Sequence, residues 1–128
     1  MITRTEEAII PFRRGLAAME SGRLEDALAL FDDVVAKAPD FAEGWNKRAT
    51  VLYLLGRLRE SAVDVARTLD LEPRHFGALA GLGLIRRTEG RDAEALAAFE
   101  QGLKVNPHMP NIEAQARELR RKVRGRAI

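Results

Sequence analysis

Residues 42–73 read AEGWNKRATVLYLLGRLRESAVDVARTLDLEP, and the order of features in this stretch decides the fold. A helix-forming segment ends at Gly56, a second begins after it, and Pro73 stops the second. A residue that ends a helix in the left-handed region is cheapest as Gly. Pro lacks an amide hydrogen and clashes with the preceding turn, so a helix cannot run through it freely. The same layout recurs on both sides at a fixed interval. Gly22, Gly56 and Gly90 are 34 residues apart, as are Pro39, Pro73 and Pro107, and Arg23, Arg57 and Arg91. Three further columns keep this register: Gly15, Ala49, Gly83; Ala27, Ser61, Ala95; and Phe31, Val65, Phe99. Six aligned columns without an insertion identify an array of helical hairpins.

The repeats run over 8–41, 42–75 and 76–109, within one domain of residues 1–128. The second helices are predicted over about Leu24 to Ala38, Arg59 to Glu72 and Asp92 to Val105. Ala27, Leu28, Phe31, Val34 and Val35 recur at three- and four-residue steps, which is one face of a helix. Gly15, Ala49 and Gly83 sit mid-way along the first helices. There Gly costs roughly 1 kcal/mol against Ala, and the expected compensation is close approach of the second helix opposite Ala27, Ser61 and Ala95. After Met109, Ile112, Ala116, Leu119 and Val123 fall on one face of a final helix over 111–124. That helix should cover the apolar end of the third repeat, since an open solenoid end exposes core. Residues 1–7 and 125–128 are expected to fray.

These columns resemble the tetratricopeptide repeat family, whose pattern is Trp-x2-Leu-Gly-x2-Tyr, Ala-x3-Phe and Pro at period 34. The third repeat gives Leu79, Leu82, Gly83, Arg86, then Ala95, Phe99 and Pro107. The middle repeat gives Trp45, Arg48, Ala49, Leu52, then Ser61, Val65 and Pro73. The first gives Pro11, Arg14, Gly15, Ala18, then Ala27, Phe31 and Pro39. Pro11 stands where the family has a large aromatic, so the first helix is expected to start near it or kink there. Arg14 and Arg48 replace the family's Leu, and nothing in the sequence accounts for Arg48. The resemblance implies an all-α fold: a right-handed superhelical α-solenoid of three helix-turn-helix repeats plus the capping helix.

It also implies a non-enzymatic scaffold that holds a peptide or helix of another protein in a concave groove lined by first helices. By register the lining is Ile9, Phe12, Leu16 and Met19; then Asn46, Thr50, Tyr53 and Leu54; then Ala80, Leu84 and Arg87; with Ala114, Glu118 and Arg121 from the final helix. An apolar groove on a protein surface marks an interaction site. The alternative occupants are residues 1–7 or a second copy of the chain. The family's carboxylate clamp for acidic chaperone tails needs Lys and Asn side chains. Phe12, Leu16, Lys47, Gly77 and Gly81 stand at its positions, so the clamp is absent.

Catalytic chemistry finds no footing. The chain has no Cys, which excludes disulfides and thiolate metal sites. His75 and His108 follow prolines in inter-repeat turns, and Asp32, Asp33, Asp92 and Glu94 read as solvated positions on second helices. Gly77, Gly81 and Gly83 lie in a helical pattern, not in a phosphate loop. No cofactor is implied. Charge is uneven: residues 1–109 carry 15 basic and 17 acidic side chains, and 110–128 carry 6 basic and 2 acidic. Arg117, Arg120, Arg121 and Lys122 therefore offer an alternative function, binding of nucleic acid or another anionic ligand. Homo-oligomerisation is a third. The start of the chain lacks the pattern of a signal peptide, and no apolar run reaches the roughly 18 residues of a membrane span. A cytoplasmic location is expected.

Overall fold

The three turn glycines are the points from which the hairpins are built. In the computed structural model, which describes residues 2–126, Gly22, Gly56 and Gly90 have φ of 73°, 79° and 78°. Each turn closes with the same pair of bonds. The Gly22 amide donates to Met19 O (3.0 Å) and the Arg23 amide to Ala18 O (2.9 Å). The pair recurs as Gly56 to Tyr53 and Arg57 to Leu52, and as Gly90 to Arg87 and Arg91 to Arg86. This Schellman arrangement satisfies carbonyls that a helix end leaves open. At the other end of the hairpins Glu72 and Asn106 take extended conformations before their prolines, and Ala38 leaves the helical region with ψ of 71°.

Seven helices result, and no strand occurs among the described residues: α1 (Arg4–Glu20), α2 (Leu24–Lys37), α3 (Ala42–Leu54), α4 (Leu58–Leu71), α5 (Phe76–Thr88), α6 (Asp92–Val105) and α7 (Pro110–Arg126). The second helices α2, α4 and α6 fall within a residue of their expected bounds. The chain ends differ from expectation. Pro11 neither starts α1 nor interrupts it; it lies buried inside a helix that begins at Arg4. Its missing amide costs one internal bond, and the first turn is secured independently. Thr3 Oγ1 accepts from the Glu6 amide (3.1 Å), and Glu6 Oε2 accepts from the Thr3 amide (2.9 Å), a capping box. Arg4 donates to Ala36 O and Lys37 O at 2.9 and 3.0 Å, so it also caps the end of α2. Most of the stretch expected to fray at either end is therefore helical; Met1, Ala127 and Ile128 lie outside the described residues.

The helices form two compact units, α1–α4 and α5–α7. In the first, Ala8, Ala18, Ala27, Phe31, Val34, Ala38 and Val51 make the core. In the second, Ala80, Ala95, Leu96 and Phe99 join Ile112, Ala116 and Leu119 of α7, with Val123 packed alongside. The expected capping face of the final helix is thus the face that is buried.

Within the hairpins, the close approach at Gly15 and Gly83 is to a ring rather than to a small residue. A Cβ on Gly15 would stand 2.6 Å from Phe31 Cε1, and one on Gly83 would run into the Phe99 ring. The middle hairpin has Ala49 and Val65 at these positions, and its packing is polar. Ser61 Oγ donates to Ala49 O (2.7 Å), and Thr68 Oγ1 donates to Asp64 O (2.9 Å). Arg48 forks onto Asp64, with Nε to Oδ2 at 2.8 Å and Nη2 to Oδ1 at 3.0 Å, and reaches Asp32 of α2 at 3.1 Å. Ser61, Asp64 and Thr68 are all buried, yet no buried side-chain polar atom lacks a partner among the described residues. Arg48 therefore has a physical reason: it neutralises an Asp64 side chain that is 2% exposed. The hydrogen bonding that Arg48 donates to Asp64 in turn holds the Arg48 guanidinium pKa above its ordinary value, against the opposing effect of burial.

Removing one member of such a pair leaves an uncompensated buried charge. Arg48→Leu, which restores the family's residue, is expected to destabilise the protein by about 3 kcal/mol. Arg48→Leu with Asp64→Leu should recover most of that loss. Urea unfolding of the two variants checks both; a tolerated single substitution would contradict the assignment.

Candidate functional site

The residues expected to line the groove divide between the two units. In the first, Phe12, Leu16 and Met19 of α1 are half-buried and pack against the core. Phe12 is the most committed. Its ring meets Phe41 edge-on at 5.2 Å and 69°, and Phe31 at 5.9 Å and 59°. Ile9 beside it is 42% exposed. On α3, Asn46 Nδ2 donates to Glu43 Oε1 (2.9 Å), and Thr50 Oγ1 donates to Asn46 O (3.1 Å). Tyr53 is half-buried, and Leu54 is 55% exposed.

Between α1 and the start of α3 lies an apolar depression of about 190 Å³, walled by Thr5, Ala8, Ile9, Phe12, Arg13 and Phe41. Ile9 and Phe12 belong to the expected lining. Phe41 does not, although its place just before α3, two residues after Pro39, is a turn position where a large apolar side chain is unusual.

In the second unit, Ala80 is buried and Leu84 is half-buried against the α5–α7 core. Arg87 reaches across to α7, donating from Nη1 to Gln115 Oε1 (2.6 Å) and from Nη2 to Glu118 Oε2 (3.2 Å). Lys122 stands 3.5 Å from the other Glu118 oxygen. The hydrogen bond from Arg87, then its charge and that of Lys122, hold the Glu118 carboxyl below the usual carboxylate range. Ala114 and Arg121 are exposed on α7.

The remaining polar candidates are engaged structurally. His75 caps α5, its Nδ1 accepting from the Ala78 amide at 3.0 Å, and His108 is exposed. Asp33 pairs with Lys37 at 3.0 Å, Asp92 with Arg126 at 2.7 Å, and Glu94 with Arg91. Among the described residues no cluster of His and carboxylates has metal-site geometry, and no helix is long and apolar enough to cross a membrane.

Comparison with known proteins agrees with the repeat register. The tetratricopeptide repeat profile matches residues 12–70 and 60–110. A TPR repeat-containing protein of Rhizobium etli is 39% identical over 108 residues, which are 84% of this chain and 53% of that protein. The chain thus spans about half the length of that relative. Among solved structures, the first TPR of Spaghetti (RPAP3), bound to the HSP90 peptide SRMEEVD, superposes with a TM-score of 0.89 at 15% identity, covering 96% of this chain and 98% of that one. The Arabidopsis OM64 TPR domain gives 0.88 at 19% identity, covering 92% and 98%. The fold is therefore an all-α helical-repeat solenoid.

The Arg87–Glu118 contact ties α5 to α7 and makes a pH-dependent contribution. Because the native Glu118 carboxyl sits below its unfolded value, the contact contributes above about pH 4.3 and is lost as pH falls through the native value. Wild type is expected to melt above Glu118→Gln at neutral pH, with the gap closing by about pH 3. Paired thermal melts across that range measure it.

Proposed function

This chain belongs to the tetratricopeptide repeat family, and from that premise we propose that it is a non-enzymatic scaffold binding a segment of another protein on its first-helix faces. The observation that carries the reading is the apolar depression at Ile9, Phe12 and Phe41. Its Phe12 and Phe41 walls are held by ring packing, which lowers the ordering cost for a partner side chain entering there. Leu54, more than half exposed on α3, adds a second apolar contact on the same unit. Asn46, Thr50 and Tyr53 supply polar groups around it on α3.

The chemistry favours an apolar rather than an acidic anchor at this place. The peptide bound by the solved RPAP3 neighbour is acidic. At the positions of the family's clamp this chain has Phe12, Leu16, Lys47, Gly77 and Gly81, one cation among five residues. A carboxylate there would lose its water shell for a single charge partner.

The test uses exposed positions, because Phe12 is part of the core packing and its loss would act through stability. Ile9→Glu and Leu54→Glu should leave helicity and melting temperature unchanged. Affinity capture from the source cell with wild type and the two variants in parallel should then yield at least one polypeptide retained by wild type and lost by both. An unchanged set of captured proteins would overturn the reading.

A further inference from the structure

Apart from Arg74 and Lys104, both exposed, the cations of the α5–α7 unit divide into two groups. Arg86, Arg87, Arg91, Lys122 and Arg126 are all held by carboxylates of the same unit. Arg117, Arg120, Arg121 and Arg124 are all exposed on α7, and none makes an ion pair or side-chain hydrogen bond among the described residues. At 100° per residue these four fall within an arc of about 100°, spread over about 10 Å of helix. Lys122, which the sequence groups with them, points to the opposite flank and is engaged by Glu118.

Such a stripe is not explained by the helix itself. Like charges three and four residues apart destabilise a helix, and here every arginine of the stripe has two such neighbours. The macrodipole favours cations at a helix C-terminus but fades within the last turn. It accounts for Arg124 and not for Arg117 or Arg120, since α7 runs on to Arg126. Packing does not need them either, because the buried face is made by Ile112, Ala116 and Leu119.

We propose that this stripe docks an acidic segment of a partner protein. Guanidinium forks match carboxylates in bidentate pairs. Spacings of three and four residues are also those at which carboxylates line up on one face of a partner helix. Two other polyanions fit less well. A lipid surface would call for apolar side chains beside the charges, and those of α7 are turned into the core. Nucleic acid binding on single strands draws on aromatic stacking, and α7 has no aromatic residue. The stripe is separate from the depression at Ile9 and Phe12 and does not rest on that reading.

The test is fluorescence anisotropy of the full chain at low ionic strength. The probe is a short labelled helical peptide with Glu at three- and four-residue spacing. Binding is expected, and Arg117→Gln with Arg120→Gln and Arg124→Gln should weaken it by roughly tenfold or more. The same positions changed to Lys should retain part of it. Arg59→Gln with Arg74→Gln and Lys104→Gln removes equal charge elsewhere and should leave affinity close to wild type. Three results would overturn the proposal: no effect of the stripe variant, an equal loss in the control variant, or tighter binding of duplex DNA or phosphatidylserine vesicles than of the peptide. Gln is a good helix former at exposed positions, and circular dichroism confirms that each variant is folded.

Discussion

The contact on which the hairpins depend is a second-helix side chain lying against the first helix where that helix has least bulk. Phe31 and Phe99 fill the space left by Gly15 and Gly83 so closely that a single Cβ would collide with the ring. Buried aromatic area is large, and it outweighs the helix-propensity loss of about 1 kcal/mol at each glycine. The ring sets the distance between the two helices, and the left-handed glycine past the end of the first helix sets the direction of return. Both conditions are local to one repeat, which is why the hairpins share one geometry despite having little sequence in common outside the register.

The middle hairpin reaches the same geometry with different chemistry. With Ala49 and Val65 in place of Gly and Phe, less apolar area is available between α3 and α4. The inner face of α4 carries Ser61, Asp64 and Thr68, each satisfied by a carbonyl or by Arg48. A buried ion pair is seldom a net gain over well-packed apolar residues, but its geometry is directional. Arg48 touches α2 through Asp32 and α4 through Asp64, so it fixes how the first hairpin meets the second. Its guanidinium also lies 5.1 Å from the Trp45 ring centre, and that of Arg67 lies 5.4 Å from it. Trp45 is held further by a 2.8 Å bond from its Nε1 to Pro39 O. The signature aromatic of the family thus serves here as one more link between hairpins.

Charge follows the division into units. The α1–α4 stretch, residues 1–72, has 10 basic and 13 acidic side chains, whereas 73–128 has 11 and 6. In the second unit Glu89, Asp92, Glu94 and Glu118 are used against nearby cations, and exposed pairs of that kind contribute little to stability. What remains after this pairing defines the surface: an apolar recess on the first unit and an arginine stripe on the second. The recess is braced on one side by the Phe12 and Phe41 rings, and the stripe lies on the flank of α7 away from Glu118, which Arg87 and Lys122 engage.

Periodicity alone determined the helices, the turns and the buried face of α7. Those features depend on backbone rules that act within a few residues: Gly at the left-handed turn, Pro after the second helix, apolar residues at three- and four-residue steps. Groove lining could be read only as register, since a position on a helix face does not tell whether Phe12 is spent on core packing or Ile9 is left exposed. The start of α1 departs from the local reading because Pro11 weighs heavily there, while the first turn is secured by the Thr3–Glu6 capping box and by bonds from Arg4 to carbonyls more than thirty residues away. Arg48 was unaccountable for the same reason: its partners are sixteen residues to either side, on two other helices. Local chemistry along the chain fixed the elements, and only packing between elements decided which side chains were neutralised, which were buried and which were left exposed.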